Sequence, residues 1–177
     1  GDGIYLTNGS RPALSGNQIS GHTDYPISLF ANDAGALLPG NDFTGNGIDL
    51  VEVRHGIITE SAVWENPGIP YAPTGTCQIA GSANLPHLEI RPGCEIQLAS
   101  DTYFQVGSTT YSYNMGSLYA EEVLFTHQAE GEYHRGVYFA RYATDELCQL
   151  KNCIVEYGGS AGQANVLVNY AEPTLDG

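Results

Sequence analysis

Apolar and polar residues alternate in short runs along this chain, and the runs return in the same order. Gly3-Ile4-Tyr5-Leu6 leads to Pro12-Ala13-Leu14-Ser15-Gly16-Asn17-Gln18-Ile19. Pro26-Ile27-Ser28-Leu29 leads to Ala36-Leu37-Leu38-Pro39-Gly40-Asn41-Asp42-Phe43, and Gly47-Ile48-Asp49-Leu50 leads to Gly56-Ile57-Ile58-Thr59-Glu60-Ser61-Ala62-Val63. Further copies begin at Gly136-Val137-Tyr138-Phe139 and Val166-Leu167-Val168. Side chains in a strand point alternately to its two faces. Ile4, Leu6, Ile27, Leu29, Ile48, Leu50, Val137, Phe139, Val166 and Val168 therefore share an inward face, with Tyr5, Asp49 and Tyr138 outward. Copies that repeat in one direction at a period in the twenties predict parallel strands stacked coil on coil, about 4.8 Å apart, and not hairpins. The expectation is an all-β solenoid of roughly eight coils, about 20 residues each, with little or no helix.

Asn17 and Asn41 follow Gly16 and Gly40 at the same point of the repeat, and alignment on the preceding Leu or Ile puts Ser61 and Cys153 there too. Such a stacked polar slot lets side-chain amides bond along the axis where a coil turns. An asparagine that simply tolerates a left-handed turn explains the same residues. Residues 1–63 read as regular repeats. Residues 64–80, with Asn66-Pro67-Gly68 and Thr74-Gly75-Thr76-Cys77, read as a connector, and 81–177 as further coils of one domain or of a segment of a longer array.

Leu88-Glu89-Ile90-Arg91-Pro92-Gly93, then Gly136-Val137-Tyr138-Phe139, then Leu150 to Gly159 and Glu172-Pro173-Thr174-Leu175, resemble the right-handed parallel β-helix repeats of bacterial surface and secreted proteins. The resemblance implies that fold over nearly the whole chain. It leaves the role open, because adhesins, polysaccharide enzymes and scaffolds share these repeats.

Charge narrows the partners. Twenty acidic against six basic residues give a net charge of −14. Nucleic acid needs Lys and Arg for its phosphates, and anionic membranes need them for their headgroups. No apolar run approaches the ~20 residues of a membrane span. A chain that opens on Gly1 with no basic-then-apolar leader reads as a mature protein or an excised segment. Acidity leaves calcium open as a ligand, without an EF-hand loop or a nonapeptide repeat to hold it. No cofactor is expected.

Four cysteines, Cys77, Cys94, Cys148 and Cys153, allow three pairings. Closeness in sequence suggests 148–153, and equivalent inward positions before Ile79 and Ile96 suggest 77–94. A reduced Cys153 in the polar slot is the competing option. Asn8-Gly9-Ser10 is the one N-x-S/T acceptor. With few lysines and many Asn, Gly and Tyr, the composition reads as extracellular or cell-surface.

Catalytic signals are thin. His22-Thr23-Asp24 is present, but Asn-Thr-Asp, Asp-Asp and Gly-His-Gly are not. Glu121-Glu122 and Asp145-Glu146 would point to opposite faces of an extended segment and cannot flank one bond. Arg135 and Arg141, near Glu132 and His134, form the best basic cluster. Outward tyrosines such as Tyr5 and Tyr138 could stack on sugar rings or simply pack on the next coil. Both chain ends enter or leave strands directly, so Ile4 and Leu6 at one end and Pro173 and Leu175 at the other are candidates for head-to-tail assembly. The expected role is a non-enzymatic structural protein, polymerising with itself or forming part of a stalk or adhesin. The alternative is a carbohydrate-binding or polysaccharide-cleaving β-helix.

Overall fold

Runs of two to five alternating residues bounded by glycine and polar turns cannot bury an apolar face alone, so they bury it against the coil above and the coil below. A computed structural model describing residues 1–177 shows this arrangement. Seventeen short strands wind through about six turns of a parallel β-solenoid with three stacked walls, the six turns linking seven layers, or coils, of the longest wall. The first wall holds seven strands: β1 (Ile4–Tyr5), β2 (Ile27–Phe30), β3 (Val51–Arg54), β6 (Tyr71–Pro73), β9 (Glu95–Leu98), β12 (Leu124–His127) and β15 (Ile154–Val155). The second holds β4 (Gly56–Ile58), β7 (Cys77–Ile79), β10 (Phe104–Val106), β13 (Val137–Phe139) and β16 (Val166–Val168). The third holds β5 (Ala62–Trp64), β8 (His87–Ile90), β11 (Ser117–Glu121), β14 (Gln149–Lys151) and β17 (Thr174–Asp176). Helix is limited to 7% of the chain, all of it in short 3-10 turns. None is long and apolar enough to cross a membrane.

The coils are fewer and longer than eight of about 20. Stacked partners lie 24 residues apart at Asn17–Asn41 and 30 apart at Glu121–Lys151. Loops between the walls absorb the difference, so the later coils lengthen without changing the strands. Residues 64–80 are no connector either. They contribute β6 and β7 to the first and second walls, and Trp64 ends β5 in the third.

Register fixes the core as columns along the axis. In the first wall Ile4, Ile27, Val51, Tyr71, Ile96, Phe125 and Val155 pair in turn, one inward side chain per coil. In the third wall Trp64, Ile90, Ala120, Leu150 and Leu175 do the same. Aromatic rings tie the walls together across the interior: Trp64 lies 5.0 Å from Tyr71 and 5.8 Å from Phe104, which lies 5.8 Å from Phe125. Ring contacts of this kind add to area burial and leave little room for a substituted side chain.

One alternation-based orientation is corrected, and one outward side chain turns out to be buried. Ile48 and Leu50 do not stack on Ile27 and Leu29; Val51 and Val53 do, and both are fully buried. Residues 45–50 form a turn, in which the Asp49 carboxylate accepts hydrogen bonds from the Gly45 and Asn46 N–H groups. Tyr138 does sit on the outer side of its wall, yet it is buried. Tyr103 packs 5.8 Å away and the Asn169 amide donates to its hydroxyl.

The first two coils are built differently. They share the first wall, but outside it they meet through isolated bridges, Leu14–Leu37 and Gln18–Asp42, and through turn hydrogen bonds such as Gly21 N–H to the Gly45 carbonyl, with no second or third wall. A 3-10 turn, Ala31–Ala36, runs beneath β4 and β5, where the Asn32 side chain accepts the Thr59 N–H at 3.0 Å. That turn partly covers the strand edges with which the second and third walls begin, a position that would otherwise leave backbone groups unpaired.

Candidate functional site

The upper end of the rod is the most exposed apolar feature. Leu175 completes a column whose next member, Leu150, is buried, yet Leu175 itself is 55% exposed. Val155, Val166 and Cys153 are only half-buried there, and with Leu150 and Leu175 they line an open depression of about 480 Å³. All of them belong to the last coil of these 177 residues or pack against it. At the opposite end Ile4, Leu14 and Ile19 pack against the core and stay half-buried, while Leu6 is buried. Of the four end residues singled out from the sequence, Ile4, Pro173 and Leu175 therefore reach an end surface. Leu6 does not, its side chain being buried in the core.

A groove of about 470 Å³ opens where the Ala31–Ala36 turn meets β5 and β8. Its carboxylates are already partnered. The Asp33 side chain, fully buried, accepts from Arg11 Nε at 3.2 Å and from the Gly9 N–H at 2.9 Å, and Arg11 also bonds Glu60. Arg91 bonds Glu89 and approaches Glu65 at 3.8 Å. The acidic pairs are spread as well. Glu121 accepts from Lys151 Nζ at 2.6 Å and from the Tyr119 hydroxyl at 2.8 Å, which hold its carboxyl below the usual range. Glu122 occupies a left-handed turn, and Asp145-Glu146 lies in a 3-10 turn and not in an extended segment.

The Arg135–Arg141 cluster is not assembled. Arg135 approaches Asp101 at 3.7 Å and the Tyr103 hydroxyl at 3.3 Å. Arg141 lies beside Tyr142 and Tyr170. His134, the imidazole of this group, is fully buried and faces the Glu156 carbonyl of the next coil instead. Its Nδ1 accepts the Gly136 N–H at 2.9 Å, so Nε2 carries the proton and donates to the Glu156 carbonyl at 2.8 Å. Burial lowers the pKa of this imidazole, and it acts as a neutral strut between coils. No three carboxylate, imidazole or thiol groups converge to hold a metal ion.

In the polar slot, Asn41 Oδ1 accepts from both the N–H and the side-chain amide of Asn17 at 3.0 Å, and its own amide reaches the Leu14 and Leu38 carbonyls. Ser61 stands elsewhere and accepts the His87 N–H. Cys153 donates to the Ala120 carbonyl. Asn46 was missed by sequence reasoning. Its amide bonds the Ile19 and Phe43 carbonyls and its oxygen accepts the His22 N–H, so it ties three segments together. Its signal was a third asparagine beside a glycine, Gly45-Asn46, after Gly16-Asn17 and Gly40-Asn41. Asn8 is exposed at a turn closed by the Ser10 N–H to Thr7 carbonyl bond.

All four cysteines are free thiols, which corrects both expected pairs. Cys148 and Cys153 are separated by strand β14, whose three residues alone span about 10 Å, beyond the ~7 Å that a bridge tolerates. Cys77 lies in the second wall, whereas Cys94 precedes β9 of the first and donates to the Trp64 carbonyl. Burial pushes the Cys77 and Cys94 thiols up to about 12 and Cys148 to about 11.

Comparison with protein-family models, curated proteins and solved structures finds no match to this chain.

Proposed function

We propose that this chain is a non-enzymatic structural subunit of the cell exterior, a β-solenoid rod that extends head to tail. The observation that supports this reading is the inward column of the first wall, which runs unbroken from Ile4 to Val155 and is open at both ends. Seating Val155 of one copy over Ile4 of the next would continue that column and pair two strand edges of equal length, β15 and β1. Covering a few hundred Å² of apolar surface at roughly 25 cal/mol per Å² contributes several kcal/mol before the cost of association. Only the first wall continues in this way, because coils one and two carry no second or third wall. The joint is therefore narrower than the rod.

An enzymatic reading draws no support from the geometry, in which the candidate acids are paired with cations or turned apart. The test is light scattering across salt and protein concentration, with Val155→Lys, at the open end of the first-wall column, as the variant. Net charge of −14 opposes stacking, and salt screens it over about 8–10 Å, so assembly should rise with salt. The variant should stay folded by circular dichroism and lose assembly. A native chain that stays monomeric at high salt and high concentration overturns the proposal.

A further inference from the structure

Loops joining the second wall to the third lie above one another on successive coils and form one corner of the rod. That corner carries tyrosines. Loop 107–116 places Tyr111 and Tyr113 face to face, with centroids 5.3 Å apart and planes at 29°. They are 52% and 59% exposed. Tyr142 follows β13, and Tyr170, 85% exposed, follows β16. The Arg141 guanidinium lies 5.4 Å from the Tyr142 ring centroid and 5.6 Å from that of Tyr170. Ser108 anchors the two groups together. Its carbonyl accepts the Tyr142 N–H at 3.1 Å, and its hydroxyl accepts the Tyr111 N–H at 3.0 Å. The loop is also closed by Asn114 N–H to the Tyr111 carbonyl and by the Gly81–Met115 bridge. Rings held by backbone bonds lose little further freedom when a ligand covers them.

Arg141 is unlike the other five basic side chains. Arg11, Arg91, Arg135 and Lys151 each pair with a carboxylate, and Arg54 donates to the Leu6 carbonyl between the Tyr5 and Phe30 rings. Arg141 makes no salt bridge and no side-chain hydrogen bond; only the two rings flank it. In a chain of net charge −14, a cation left without a carboxylate has its fork of donors available to a ligand.

We infer that this corner binds a carboxylate-bearing sugar. Arg141 takes the carboxylate bidentate, the geometry that planar guanidinium favours. The flat, amphipathic tyrosine rings take the C–H faces of the pyranose, with their hydroxyls left to bond its OH groups. No deep aliphatic pocket accompanies the rings, which suits a flat, hydroxylated ligand better than a peptide anchor. A nucleic acid would meet one free cation on an acidic surface, too little for its phosphates.

The test is calorimetric titration of the native chain at physiological salt with hexagalacturonate, sialyllactose, the neutral cellohexaose and a glutamate hexapeptide. Binding to either acidic saccharide, at least about tenfold tighter than to cellohexaose and the peptide, is the expected result. Which of the two binds distinguishes a plant-type uronate from a sialylated glycan. Arg141→Gln should weaken binding by about tenfold or more and Tyr170→Ala should also weaken it, while far-ultraviolet circular dichroism stays unchanged. The inference is overturned if neither acidic saccharide binds, if the peptide or cellohexaose binds as well, or if Arg141→Gln binds as the native chain does. Because the corner lies on the side of the rod, this outcome is independent of head-to-tail assembly.

Discussion

At the scale of single residues, buried polar groups such as His134 tie one coil to the next. His134 is neutral in the fold, and burial lowers its pKa below the ordinary 6.5. The unfolded chain thus binds a proton first as pH falls. The His134 contribution to stability is complete above about 6.5 and declines as pH drops through that value toward the folded pKa. Melting temperature should fall between neutral and mildly acidic pH, and His134→Gln should flatten that part of the profile. Glu121, Asp42 and Asp49, whose pKa values are lowered by hydrogen bonds, lose their contribution only as pH falls through the ordinary carboxylate range toward their lowered values, so the two effects separate. The thiols give a second check. With Cys77, Cys94 and Cys148 raised to about 12, 12 and 11 by burial, they should resist a thiol reagent at neutral pH. All four should react once the chain is denatured. Fewer than four reacting under non-reducing denaturation would mean that a disulfide exists.

At the scale of elements, stacking demands close approach at the corners. Gly47 donates its N–H to the His22 carbonyl at 2.7 Å. A Cβ added there would press into the Thr23 backbone carbonyl, which cannot swing aside as a side chain would. Gly47→Ala should cost more than the fraction of a kcal/mol expected at an open turn, and about 1–3 kcal/mol by denaturant titration. The strands themselves were legible where alternation met a true strand: Ile4 over Ile27 and Val137 under Val166 are register pairs in the fold. Legibility failed where alternation belonged to a turn. Ile48-Asp49-Leu50 has the period of a strand, but the Asp49 carboxylate is spent on capping Gly45 and Asn46, and the strand starts one residue later. Orientation toward solvent was also not readable for Tyr138, because burial on the outer side depends on Tyr103 and Asn169, from neighbouring coils. The disulfide expectation failed for a related reason: closeness in sequence at Cys148 and Cys153 says nothing of the extended strand between them. Arg141 with its tyrosines was unreadable because residues from three coils meet only when loop lengths have set the corner.

At the scale of the whole molecule, the account rests on a column that runs the length of the rod and stops exposed. Seven layers at about 4.8 Å give an axial length near 34 Å per subunit. Stacking of coil seven on coil one would preserve that spacing across each joint. Electron microscopy of the purified chain at raised salt, with the axial repeat measured from power spectra, tests this most directly. The account predicts unbranched filaments with an axial repeat of about 34 Å and a 4.8 Å layer spacing, lost on Val155→Lys. Dispersed single particles under the same conditions, or filaments whose repeat cannot be built from whole coils, would contradict it.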